Sequence, residues 1–511
     1  MEIQPRQLSL AGPRRSPVLK RALIGAVGGC VVLGGVLVLL PPDRHRTAPP
    51  APGPVARAVT AVGAGVPVAL PDLAALIGDH EAHLRAHPGD GQAWAVLGAA
   101  YVEQGRRTAT PAYYPRAEKA LRTSLEAGPK NNVDALNGLA ALANARGDFP
   151  AAKKWGETAV ARAPKRWTAY PQLIEAYDAL GDYKATRRTL DKLVELRSGP
   201  TVMARAAQVY WDRGWREDAT AALADAAAGA TTPAEQAAWL SRAGDFAWER
   251  GEPEDALRQY AAALVTDPDE HSALAGQGRA LAALGRTSEA LRAYQTALTK
   301  QPSPQYALEL GELYESLGLA GAAQVQYDLL RTRVQQEEAD GVHDELVLGL
   351  FEADHGDAES AVRRLREEWK RRPGIAVADA LGWALHRAGE NQEAVKFATR
   401  AMDKEHGGGV RSALYAYHRG EIERDLEWFG PARRHLAEAL RINPFFSPLL
   451  VPAAKEALAG LGEPPAEGLP EEAPQESAGS AGSAPEPTAA PAAPRPPRSP
   501  SAPAPRRSST R

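Results

Sequence analysis

The 511-residue chain has almost no cysteine: Cys30 stands alone, so no intramolecular disulfide can form and the fold rests on burial. It also lacks an excess of either charge. With 60 Lys and Arg against 63 Asp and Glu, the formal net charge is -3. Binding a phosphate backbone takes clustered, unbalanced basic residues, so the sequence points away from nucleic acid. Catalytic signatures are missing as well. No HExxH, P-loop or cysteine-based metal spacing occurs, and Gly63-Ala64-Gly65 and Gly407-Gly408-Gly409 follow no strand, so both read as connectors. No enzyme activity and no cofactor are expected.

Only one long apolar run is present. Ala22 to Leu40 are nineteen residues without a charge, eleven of them Leu, Ile or Val. As a helix this run spans about 28 Å, the thickness of a bilayer's hydrocarbon core. Its branched side chains favour insertion by about 3 to 6 kcal/mol, which five glycines erode. Arg6, Arg14, Arg15, Lys20 and Arg21 precede it and only Arg44 and Arg46 follow closely, which predicts a cytoplasmic N-terminus (1–21), a transmembrane helix (22–40) and an extracytoplasmic remainder. Two alternatives compete: a cleaved signal peptide, and a lipoprotein signal around Val27-Gly28-Gly29-Cys30. Residues 41–71 hold eight prolines and read as a linker, and 463–511, rich in Pro, Ala and Ser, read as a disordered tail. Pro491-x-x-Pro494 and Pro494-x-x-Pro497 in that tail read as spacer before ligand.

Between these ends the chain repeats. Gly147, Gly181, Gly214, Gly251, Gly285, Gly318, Gly356 and Gly389 fall at intervals of 33 to 38 residues, the period of helix-turn-helix arrays. The segment 94–105, WAVLGAAYVEQG, carries Trp94, Leu97, Gly98 and Tyr101, and the segment 289–302, EALRAYQTALTKQP, carries Ala290, Tyr294, Ala297 and Pro302. In these positions the chain resembles the tetratricopeptide-repeat (TPR) family. Small residues recur where two helices of a repeat would cross. In the first helix, A, these are Gly98, Ala140, Ala207, Gly244, Gly278, Gly311, Gly349, Gly382 and Gly420, with Ile174 the exception. In the second, B, they are Ala117, Ala152, Ala219, Ala256, Ala290, Ala323, Ala361, Ala394 and Ala432, with Thr186 the exception. Ten repeats are counted from Gly91 to Pro444, inside a solenoid of 72–462 whose terminal elements act as caps. Turn glycines are expected in the left-handed region, with Glu427 replacing glycine in the last repeat. Extra residues between Gly105 and Ala117 should loop out. The fold expected is all-α: a right-handed superhelical TPR solenoid behind one transmembrane helix, followed by a disordered tail.

The resemblance implies a concave face lined by the A helices, and hence a scaffold that binds a protein or peptide partner. Candidates for that groove are Asn137, Glu175, Gln208, Trp211, Asp245, Trp248, Arg279, Glu312, Trp383 and His386. The indoles of Trp211 and Trp248 either face the groove or fill the gap between repeats. Family members that grip a chaperone's C-terminal carboxylate use Lys, Asn and Arg. Here those places hold Ala95, Ala99, Asn137 and Ala141, so that activity is not expected. His80, His83 and His87 share one face of the first cap helix and are weak zinc candidates, set against a face that simply packs and meets solvent. A secreted or lipid-anchored protein of envelope assembly is the alternative function. The sequence selects no particular partner and no oligomeric state.

Overall fold

The computed structural model describes residues 53–128, 132–403 and 409–462. Among them all secondary structure is helical, with no strand. Helices α1 (Pro54–Ala64) and α2 (Leu70–Ala86) come first. The ten repeats follow as pairs. Repeats 1 to 3 are α3 (Gly91–Thr108) with α4 (Tyr113–Ala127), α5 (Val133–Ala145) with α6 (Phe149–Arg162), and α7 (Pro171–Ala179) with α8 (Tyr183–Leu196). Repeats 4 to 6 are α9 (Pro200–Asp212) with α10 (Arg216–Gly229), α11 (Pro233–Glu249) with α12 (Pro253–Thr266), and α13 (His271–Ala283) with α14 (Thr287–Lys300). Repeats 7 to 10 are α15 (Pro304–Ser316) with α16 (Ala320–Ala339), α17 (Leu346–His355) with α18 (Ala358–Arg371), α19 (Ile375–Arg387) with α20 (Asn391–Met402), and α21 (Ala413–Asp425) with α22 (Phe429–Ile442). The cap α23 (Leu450–Gly460) closes the array.

Local chemistry starts these helices. Asp90, Asn132, Asp148 and Asp182 each accept a hydrogen bond from a backbone N–H in the first turn that follows. Such caps satisfy donors that a helix end leaves free. Within each pair, the small residue of helix A faces a large one of helix B. A Cβ on Gly98 would sit 2.6 Å from Leu121, on Gly278 2.6 Å from Tyr294, and on Gly349 2.6 Å from Leu365. The helix B alanines are sealed under these crossings, with Ala117, Ala256, Ala290 and Ala432 at 0% exposure. The two exceptions, Ile174 and Thr186, belong to the same repeat and are buried together.

The array winds until it meets itself. The A-to-B turns of repeats 1 to 5 touch the junctions between later repeats, 192 to 197 residues further on: Gln301 Nε2 donates to the Arg106 carbonyl, Ile375 N to Tyr183 Oη, Arg216 to the Arg411 carbonyl, and Asn443 Nδ2 to the Trp248 carbonyl. His343 N donates to the Arg146 carbonyl at 2.9 Å, backbone to backbone. The result is a seam between consecutive superhelical turns. Glycine makes it possible. Gly147, Gly181, Gly214 and Gly251 have φ between 68° and 77°. A Cβ on any of them would also overlap backbone of the facing junction, at His343, Pro373, Gly409 or Asn443.

Three features differ from the sequence reading. Residues 53–71, read as linker, hold α1 and a packed connection, with Ala58, Ala61, Val66 and Val68 buried. Short alanine and valine side chains give an apolar stripe there despite the surrounding prolines. The extra residues of repeat 1 do not loop out. They lengthen α3 to 18 residues, against 13 for α5, and bury Arg107 between Asp267 and Glu270 at 3.4 and 3.2 Å. Gly356 has φ -142° and leaves its helix without the left-handed turn. Glu427 takes that turn in repeat 10, with φ 62°. The N-terminal segment 22–40, the tail and Gly407-Gly408 lie outside the described residues, among which no helix is long and apolar enough to cross a membrane.

Candidate functional site

Because the seam joins one superhelical turn to the next, the concave face becomes the wall of a bore. One end is filled from within. Helix α1 packs against Val96 and Ala100 of α3, its apolar cluster includes Trp239 of α11, and Gly65 lies near Gln172 of α7. Arg57 ties it to Asp72 of α2 through a two-pronged ion pair at 2.8 and 2.9 Å. Beyond α1 the bore stays open as a cavity of about 1000 Å³, lined from Asp178 in repeat 3 to Lys455 in the cap.

The cavity wall is acidic. Asp178, Asp212, Asp245, Glu249, Glu309, Glu312 and Asp354 line it, against Arg242, Arg279 and Lys455. Two of the three cations are already engaged: Arg279 with Glu309 at 3.2 Å and Asp245 at 3.8 Å, and Arg242 with Asp245 at 3.4 Å. Burial raises the Asp178 carboxyl well above the ordinary range, and the neighbouring Asp212 adds to the effect while Arg205 and Arg213 oppose it. Burial likewise raises Asp212, Glu249 and Glu312. Asp178 Oδ1 is shielded and has no hydrogen-bond partner among the described residues. Low-dielectric surroundings disfavour the charged form of such a carboxyl, and a cation brought beside it would favour that form again.

The structure brings six of the ten candidate groove residues to this wall: Gln208, Trp211, Asp245, Trp248, Arg279 and Glu312. The indoles do not project freely. Trp211 is 6% exposed and stacks on Phe246 of the next repeat with centroids 4.1 Å apart, and Trp248 is 5% exposed under Arg279. Their rings fill the gap between repeats and show only an edge to the cavity. The other four lie off it. Asn137 donates to the Thr168 carbonyl, Glu175 pairs with Arg205, Trp383 is buried and donates to Asp354, and His386 bonds Asn391.

A family profile described as "Tetratricopeptide repeat" matches residues 114–166, 241–303 and 276–333, and the latter two spans include the glycine-on-tyrosine crossings at Gly244, Gly278 and Gly311. Over these spans the chain matches the TPR family. Among curated proteins, cellulose synthase 1 operon protein C of Komagataeibacter xylinus is 25% identical over 217 residues, 42% of this chain. The matched part spans only 14% of that relative's length. Among solved structures, a thermophilic TPR protein of Thermus thermophilus is 25% identical, covers 38% of this chain and 99% of its own, and superposes with a TM-score of 0.34. A TPR protein of Parabacteroides merdae is 18% identical, covers 51% of this chain and 98% of its own, with a TM-score of 0.31.

The TPR register explains which wall residues the sequence reading missed. Counting from the small residue of each A helix, nine of the ten candidates stand one or four places on, and Asn137 stands three places before Ala140. Asp212, Glu249 and Asp354 stand five places on. Positions one and five are four residues apart and share a helix face, whereas the position-four tryptophans Trp211 and Trp248 are turned toward the neighbouring repeat. Positions one and five therefore account for Asp212, Asp245, Glu249, Glu312 and Asp354, whereas Asp178, four places after Ile174, and Glu309, two places before Gly311, lie outside that stripe. Tyr415 and His418, which reach the cavity from repeat 10, carry no such signal. The cap histidines are otherwise engaged: His83 bonds Asp90 at 3.0 Å and stacks on His87 at 4.5 Å. Among the described residues, no three His, Cys, Asp or Glu are grouped as a metal site.

Proposed function

We propose that this TPR protein is a membrane-anchored scaffold that holds an extended, cationic segment of a partner protein in its bore. The observation that carries the reading is the acid-rich cavity, in which Asp178 Oδ1 has no hydrogen-bond partner among the described residues. Lysine or arginine side chains on a bound segment would supply one, and the indole edges of Trp211 and Trp248 would cover its apolar parts. Residues 22–40 anchor the chain, with the N-terminus cytoplasmic and the repeats extracytoplasmic, and binding is the activity in place of catalysis.

The test is capture from solubilised membranes by the full chain and by Asp178→Asn/Glu249→Gln, which replaces two carboxyls with amides of the same shape. A partner retained by the first and released by the second supports the reading. The same partner retained equally by both places binding outside the bore. Retention should also weaken as the pH falls and begin to do so above the usual carboxylate range, because burial raises the Asp178 and Glu249 carboxyls and the wall loses charge early.

A further inference from the structure

The seam has a free continuation. In repeats 2 and 3 the first residue of helix B is aromatic and sealed by the next superhelical turn: Phe149 is 7% exposed and Tyr183 9%. One short segment, the junction between repeats 8 and 9, covers both. The Arg372 guanidinium lies 5.7 Å from the centre of the Phe149 ring, and Ile375 N donates to Tyr183 Oη at 3.0 Å. In repeat 10 the same register position is Phe429, three residues before its small alanine as Phe149 is before Ala152. Phe429 is 53% exposed, and its neighbour Trp428 is 45% exposed. Among the described residues no later turn covers them. Two large exposed aromatics side by side, with Asp425 and Glu427 beside them, form a seam half without its mate.

The matching half exists at the other end. Arg197-Ser198-Gly199-Pro200, between repeats 3 and 4, is the register equivalent of Arg372-Pro373-Gly374-Ile375. In both, an arginine ends helix B two residues before a glycine, and each arginine is the helix's C-cap. Arg197 and Ser198 are exposed, and nothing lies within 4 Å of a Cβ built on Gly199. The charges agree, since a cation at this junction would face Asp425 and Glu427.

We propose that Trp428 and Phe429 of one copy dock on Arg197–Pro200 of a second copy, continuing the intramolecular seam between molecules. The contact is head-to-tail, so each copy keeps one free half and the association is open-ended. The seam within the chain is small and polar, and its repetition between copies predicts a weak interface.

Sedimentation of the full chain in density-matched detergent tests this. The mass should rise with concentration across the micromolar range, and Trp428→Ser/Phe429→Ser should abolish the rise while keeping the wild-type melting temperature. Orientation is read separately in a Cys30→Ser background. Oxidising a mixture of Gly430→Cys and Ser198→Cys chains should link unlike chains. A wild-type chain that stays monomeric throughout overturns the proposal. So does association that the serine variant leaves unchanged, or linkage of like chains only.

Discussion

Tyr260, Tyr294 and Tyr327 occupy one register position in consecutive repeats, and each does two things. The rings fill the hollow over Gly244, Gly278 and Gly311, and the hydroxyls donate to Asp245, Glu309 and Glu315 at 2.7 to 2.9 Å. A buried tyrosine needs such a partner for its hydroxyl. Asp245 and Glu309 line the cavity, so the packing of helix A on helix B also sets the position of bore carboxylates. Half of this was legible. The recurring Gly and Ala announced the crossings because nothing larger fits there. The tyrosine-to-carboxylate bonds were not, since they join side chains 12 or 15 residues apart on facing helices. Gly311→Ala tests the crossing. Its Cβ would overlap the Tyr327 ring, and overpacking of this kind costs about 1 to 3 kcal/mol. Denaturant unfolding should show that loss, and an unchanged midpoint would contradict the assignment.

Turn glycines that look alike in sequence separate once the elements are assembled. Gly147 and Gly285 share φ near 74° and the same place between helices A and B. Only Gly147 faces another element, the His343 carbonyl, while nothing approaches Gly285. Periodicity revealed the turns but not the seam, because each repeat adds a small rotation and the meeting point depends on their sum. The same summation hid the role of α1. Its alanines and valines are an unremarkable stripe until the wall that encloses them is in place. The matched substitutions expose the difference. Gly285→Ala should cost only the left-handed backbone penalty, about 1 to 2 kcal/mol. Gly147→Ala should cost more and enlarge the radius of gyration in solution scattering, because the facing backbone must withdraw. Equal losses with unchanged scattering would mean that the seam does not close.

For the whole molecule, closure turns a groove into a bore. An open concave face would let a partner lie across it anywhere, whereas a seam-closed bore plugged by α1 admits a segment to the acidic cavity between repeat 3 and the C-terminal cap. Arg107 between Asp267 and Glu270, and Arg333 on the Ala109 carbonyl, hold the first repeat against the repeats one turn on. The chain thereby invests its longest helix A in fixing the pitch. The binding reading and the proposed stacking of copies both depend on that pitch. A direct measure is the distance across the seam by pulsed electron resonance, with spin labels at Lys154→Cys and His343→Cys in a full-length Cys30→Ser chain. A closed superhelix predicts one narrow distribution at short distance. A broad distribution at long distance would show an open spring, and with it the bore would be lost.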